Sequence, residues 1–115
     1  YTGGLIATRE LLAIESPPTA ICYVNDWLAM GGLAAAASAG IDVPKELSLI
    51  GFDDSFMSRQ CHPQLTSVTI ETKHRAFAAV DLLLRRVNGK TIASPKVFLR
   101  PNLVLRDTCQ SPLKR

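Results

Sequence analysis

Apolar residues along this chain follow two rhythms, and the switch between them sets out the elements. Over residues 3–15 they recur at helical spacing. Ala7, Leu11 and Ile14 form one row, with Leu5 and Leu12 beside it. Thr2 stands as a candidate N-cap, and Ser16-Pro17-Pro18 ends the helix because proline cannot continue one. The run "TAICYV" at 19–24 is apolar without alternation, the pattern of a strand buried on both faces. "DWLAMGGLAAAASAG" then reads as a helix with Asp26 as N-cap, Gly40 past its end, Ile41 as the following apolar contact and Pro44 as the stop beyond. Its alanines give it a smooth surface that a sheet or a second helix can approach closely. "ELSLIGF" (46–52) is a second buried strand, 53–64 a loop without period, and "LTSVTI" (65–70) a third strand. Residues 73–88 carry the clearest helical row, Phe77, Val80, Leu84 and Val87, closed by Asn88-Gly89. "KVFLRPNLVLRD" (96–107) is extended. Pro101 removes a donor there, so it is an edge strand or two strands meeting at a bend. Helices alternating with apolar strands predict an α/β fold in three layers, a mostly parallel sheet flanked by helices.

Length and composition narrow this picture little. The 115 residues suit one domain, and 47% apolar content is ordinary for a globular protein. No stretch reaches the roughly 18 apolar residues of a membrane span, and Arg9, Glu10 and Glu15 break the first apolar stretch, so it is not a signal peptide. The start "YTGG" lacks methionine, and the chain is expected to be part of a longer protein. Cys22, Cys61 and Cys109 are too few and too scattered for a disulfide framework, which suits a reducing compartment, and Cys22 reads as a small buried hydrophobe. The net charge of +3 is unevenly spread. Residues 1–64 hold three basic and seven acidic groups, and residues 65–115 hold ten basic and three acidic. Apart from Arg85-Arg86-Lys90 the basic groups of the second half are dispersed and few aromatics interleave with them, so they read as a solvated face rather than a nucleic-acid surface.

Candidate chemistry gathers at strand ends. Asn25-Asp26 closes one apolar strand and Asp53-Asp54 the next. In an open parallel sheet ligands bind outside the carboxyl ends of the strands. Asparagine both donates and accepts, and aspartate accepts, a set that suits a polyhydroxylated ligand. The same four residues also suit caps and turns. On spacing alone both readings stand, with Asp26 the structural member and Asn25 and Asp53 free to face a cleft. His62 beside Cys61 has no second ligand pair, so no metal is expected. No phosphate-binding glycine loop and no nucleophile elbow occurs, so neither a catalytic residue nor a cofactor is assigned. His74, near a helix start, is expected to be exposed.

Taken in order, these stretches resemble one family. "PPTAICYVNDWLAMGGLAAAASAGIDVPKELSLIGFDD", "HPQLTSV" and "NLVLRDTC" are similar to the effector-binding core of the lac/gal repressor family of bacterial transcription regulators. That resemblance implies two α/β subdomains of periplasmic-binding-protein-like type I fold around a cleft, of which this chain is the last part. Residues 1–70 would form most of the C-terminal subdomain, residues 71–100 a crossover with a helix of the N-terminal subdomain, and residues 101–115 a return strand and tail. It implies Asn25 and Asp53 as effector-contacting residues, with Trp27 and Phe56 as neighbours in the cleft. Trp27 stands where the family often has Leu or Gln, which leaves the ligand open. Met30, Leu33, Met57 and Cys61 become candidates for a dimer face, with a core role as the alternative. A small effector such as a sugar or nucleoside, a homodimer, and operator DNA bound through a helix-turn-helix outside this chain are the implied partners, with no membrane. The implied location is cytoplasmic. A periplasmic sugar-binding protein of related fold and a small enzyme using Asp53 and His62 are the competing readings.

Overall fold

The computed structural model describes residues 1–90 and 96–111. Residues 91–95 of the expected crossover and 112–115 of the tail lie outside the described residues. Three helices and four strands follow the expected order: α1 (Thr2–Leu12), β1 (Ala20–Cys22), α2 (Asp26–Ser38), β2 (Ser48–Asp53), β3 (Thr66–Thr69), α3 (Thr72–Val87) and β4 (Asn102–Val104). A short 3-10 helix, Phe56–Arg59, occupies the loop that showed no period. The sheet runs β1-β2-β3-β4. β1 with β2 and β2 with β3 are parallel, and β4 joins antiparallel as an edge, where Pro101 precedes its first residue. The class is therefore α/β with a mixed, mostly parallel sheet.

The core lies between α2 and the sheet. Ile21, Ala29, Ala36, Leu47, Leu49 and Leu65 are buried together. α1 packs on α2 rather than on the strands. That packing is close because the crossing is built from glycine: a Cβ on Gly31 would sit 2.1 Å from the Tyr1 carbonyl oxygen and 2.7 Å from the Leu5 nitrogen. The smooth surface read from the alanine-rich sequence is used in this way.

α1 differs from expectation in three respects. It ends at Leu12, not residue 15, and its N-cap is Tyr1, which makes no side-chain cap bond, so Thr2 is not the cap. Its buried stripe is Gly4 and Thr8, with Leu12 packed on the core, while Ala7, Leu11 and Ile14 face outward. The reason is the partner surface. α2 offers glycines and alanines, so the smallest face of α1 docks there, and Thr8 meets its own needs by donating to the Gly4 carbonyl at 2.6 Å and bonding the Tyr23 hydroxyl at 2.6 Å.

α2 begins and ends on recognisable chemistry. Asn25, not Asp26, is its N-cap: the Leu28 amide donates to Asn25 Oδ1 at 2.9 Å. At the other end Gly40 takes a φ of +70°, the Gly40 amide reaches the Ala37 carbonyl at 3.2 Å, and the Ile41 amide reaches the Ala36 carbonyl at 3.0 Å. This is the two-bond helix stop that Gly40 and Ile41 foretold.

The sheet face away from α2 is open among the described residues. The register aligns Phe52, Val68 and Leu103 across β2, β3 and β4, with Phe52 and Leu103 exposed. Cys22 is exposed as well, against the expectation of burial. No residue of α3 is buried, and Phe77 on its apolar row is 74% exposed.

A polar rim at the strand ends

β1 and β2 run parallel with Cys22 opposite Ile50, so both carboxyl ends open on the same rim. The chain turns sharply there. Asp53 and Asp54 both have positive φ, 111° and 48°. Such conformations cost on the order of 1–3 kcal/mol each and persist only where the surroundings over-determine them. The surroundings do so through three anchors.

Asp26 is the first. It is 2% exposed and sits one position inside the helix. Its carboxylate accepts from the Ser55 amide at 2.6 Å and from the Ser67 hydroxyl at 2.5 Å. The expected helix cap is instead a buried clamp holding α2, β3 and the loop after β2. Ser67 is the second anchor, since its oxygen also accepts from the Asp54 amide at 3.1 Å. Arg106 is the third. It forms a charge pair with Asp54, the two side chains only 11% and 12% exposed. The same guanidinium donates to the Leu65 carbonyl at 2.7 Å and the Ser58 hydroxyl at 3.1 Å. Arg59 adds an exposed contact to Asp54 at 3.3 Å.

Asp53 itself is exposed and lines an open groove of about 420 Å³ with Asp54, Arg59, Thr69, Glu71, Thr72, Lys73 and His74. Glu71, at the turn into α3, also has positive φ (44°); its carboxylate bonds His74 and accepts from the Asn102 amide group at 3.2 Å. His74 is exposed, as expected. The lining is polar and of mixed sign, donors beside acceptors.

The other candidates fall into place around this rim. Asn25 is half-buried and its Oδ1 is taken up by the cap bond; it does not line the groove that holds Asp53. Trp27 is 57% exposed and its ring lies 6.0 Å from that of Tyr1. Phe56 is 72% exposed at the start of the 3-10 helix. Met57 is exposed and Met30 half-buried. Leu33 and Cys61 pack partly against the core. Burial pushes the Cys61 thiol above its ordinary range, which makes it a poor nucleophile. Burial likewise raises the Tyr23 phenol, opposed by its bond to Thr8. Among the described residues no three His, Cys, Asp or Glu side chains group as a metal site, and no helix is long and apolar enough to cross a membrane.

Arg106, Ser67 and Glu71 escaped the sequence reading. Arg106 lies 52 positions from Asp54, and no local spacing announces such a pair. Its one signal is its place in "NLVLRDTC".

Comparison with known proteins agrees with this architecture. Residues 2–109 match the periplasmic binding protein-like domain. The HTH-type transcriptional repressor PurR of Pasteurella multocida is 33% identical over 96% of this chain and 33% of its own length. A LacI transcriptional regulator from a Rhodococcus species superposes with a TM-score of 0.87 at 37% identity, over 94% of this chain and 40% of that one. A LacI family regulator from Arthrobacter, solved in complex with lactose, gives 0.85 at 27% identity over 93% and 41%. The chain spans about a third of the length of the curated relatives it matches.

Proposed function

The chain belongs to the periplasmic binding protein-like domain family, and from that premise we propose that it is the effector-sensing part of a transcription regulator of the lac/gal repressor type. In this reading residues 1–70 are mainly the C-terminal subdomain, residues 71–100 cross to the N-terminal subdomain, and residues 101–115 return. The protein works in the cytoplasm as a homodimer and meets operator DNA through a helix-turn-helix elsewhere in the whole protein. It carries out no catalysis. The effector is a small polyhydroxylated molecule, a sugar or nucleoside. Asp53 contacts it from the groove, and Asn25, whose Oδ1 holds the cap of α2, offers its side-chain NH2 from the neighbouring strand end, with Trp27 and Phe56 at the cleft margin and Met30 and Met57 toward the dimer face.

One observation carries the proposal. Asp53 ends a parallel strand on a left-handed backbone and lines a groove whose other walls carry both donors and acceptors. A polyol needs that mixture, since each hydroxyl both gives and takes. The Arthrobacter relative with bound lactose supports this ligand class. The regulator names of the relatives support this reading over a periplasmic carrier.

Calorimetry on the whole protein tests it with lactose, galactose, ribose and adenosine as probes. The expected result is saturable binding of at least one, lost by orders of magnitude in Asp53→Ala with little change in melting temperature. Normal binding by an Asp53→Ala protein that melts early would make the residue structural.

A further inference from the structure

We propose that Arg106 is a positioning residue for the effector site, holding Asp53 in its left-handed conformation through Asp54; this rests on the reading of Asp53 as an effector contact. Asp54 pairs with Arg106, the Asp54 amide binds Ser67, and the Ser55 amide binds Asp26. Every one of these lands on a neighbour of Asp53 rather than on Asp53. The residues after it are pinned to β3, to α2 and to the segment beyond β4, and Asp53 is carried into the groove by that fixed backbone.

Arg106 is fixed in turn. Its amide donates to Thr66 Oγ1 at 2.9 Å, and its guanidinium reaches the Leu65 carbonyl, Ser58 and Asp54 at once. Three acceptors shared between the two terminal nitrogens match the rigid fork of a guanidinium, and an ammonium serves fewer of them. The charge matters separately. Asp53 and Asp54 are adjacent carboxylates with Asp26 bonded to the next residue, and Arg106 is the least exposed cation on that group. Neutralising Asp54 lets two acids stay close on one turn.

The test uses the whole protein with Arg106→Lys, which keeps the charge and loses the fork, and Asp54→Asn, which keeps the shape and loses the charge. Amide hydrogen exchange at Asp54 and Ser55 is measured beside melting temperature, and affinity is measured for whichever of lactose, galactose, ribose or adenosine the unaltered protein binds. Expected is exchange at these two amides faster by about tenfold or more, with the buried turn at Ala35–Ala36 unchanged, and a Kd weakened on the order of tenfold to a hundredfold, as when a partner orienting a ligating group is lost. Unchanged exchange at Asp54 and Ser55 in both variants overturns the proposal. So does a Kd that holds while melting temperature falls, since that is a purely structural role. If none of the probes binds, exchange alone decides. A normal Kd in Asp53→Ala would sink the effector reading while the exchange result still stood for Arg106.

Discussion

At the residue scale the neighbours Asn25 and Asp26 divide their work in an unexpected way. Asp26 has the sequence position of a cap and the structural position of a clamp. Its loss strands two donors, the Ser67 hydroxyl in a fully buried place and the Ser55 amide in a half-buried one. An orphaned buried donor costs about 1–3 kcal/mol, more than the roughly 1 kcal/mol typical of a lost cap. Asp26→Ala is therefore expected to destabilise the whole protein by several kcal/mol in chemical denaturation. Asn25→Ala, which removes the actual cap at Leu28, is expected to cost about 0.5–2 kcal/mol. A smaller loss in Asp26→Ala than in Asn25→Ala would reverse this assignment. The types of residue at the rim were readable because Asn and Asp at strand ends have few uses. Which of the two caps and which clamps was not, because that depends on Ser55 and Ser67, 29 and 41 positions from Asp26.

At the element scale the helix pair α1 and α2 shows how a partner surface overrides a pattern. The sequence row Ala7, Leu11, Ile14 is more apolar than the stripe Gly4, Thr8, Leu12 that docks. Close approach wins because α2 presents glycine at the crossing, and two backbones in contact gain dispersion along their whole length. Gly31→Ala tests this. The new methyl would meet the Tyr1 carbonyl at 2.1 Å, backbone that cannot swing aside. Overpacking of this kind costs typically 1–3 kcal/mol, against a gain of at most about 1 kcal/mol from alanine's helix propensity. A net loss of stability is expected in urea denaturation, and a gain would mean the two helices are free to separate. The close of α2 was more legible: Gly40 and Ile41 end it by bonds confined to six residues, so their signal is local.

At the scale of the whole molecule, apolar surface remains on the described part of the chain: the outward row of α3 and the open sheet face of Phe52 and Leu103. Burying Phe77, Val80, Leu84 and Val87 of that row contributes at most on the order of 6–12 kcal/mol. Association costs about 4–15 kcal/mol, so α3 alone supports weak pairing, and the sheet face has to join for a lasting one. The isolated chain is accordingly expected to self-associate, with light scattering showing a mass that rises with concentration; a monomer at every concentration would count against it. What the sequence alone determined was local: the element order, the α/β class, the close of α2 and the polar character of the strand ends. Each follows from spacing, caps or turn residues within one or two turns of chain. What only the tertiary structure decided was the pairing of distant groups. Asp54 with Arg106, Asp26 with Ser67, Glu71 with Asn102 and the docking of α1 by its smallest face all depend on which surfaces the folded chain brings together, and no period in the sequence encodes that choice.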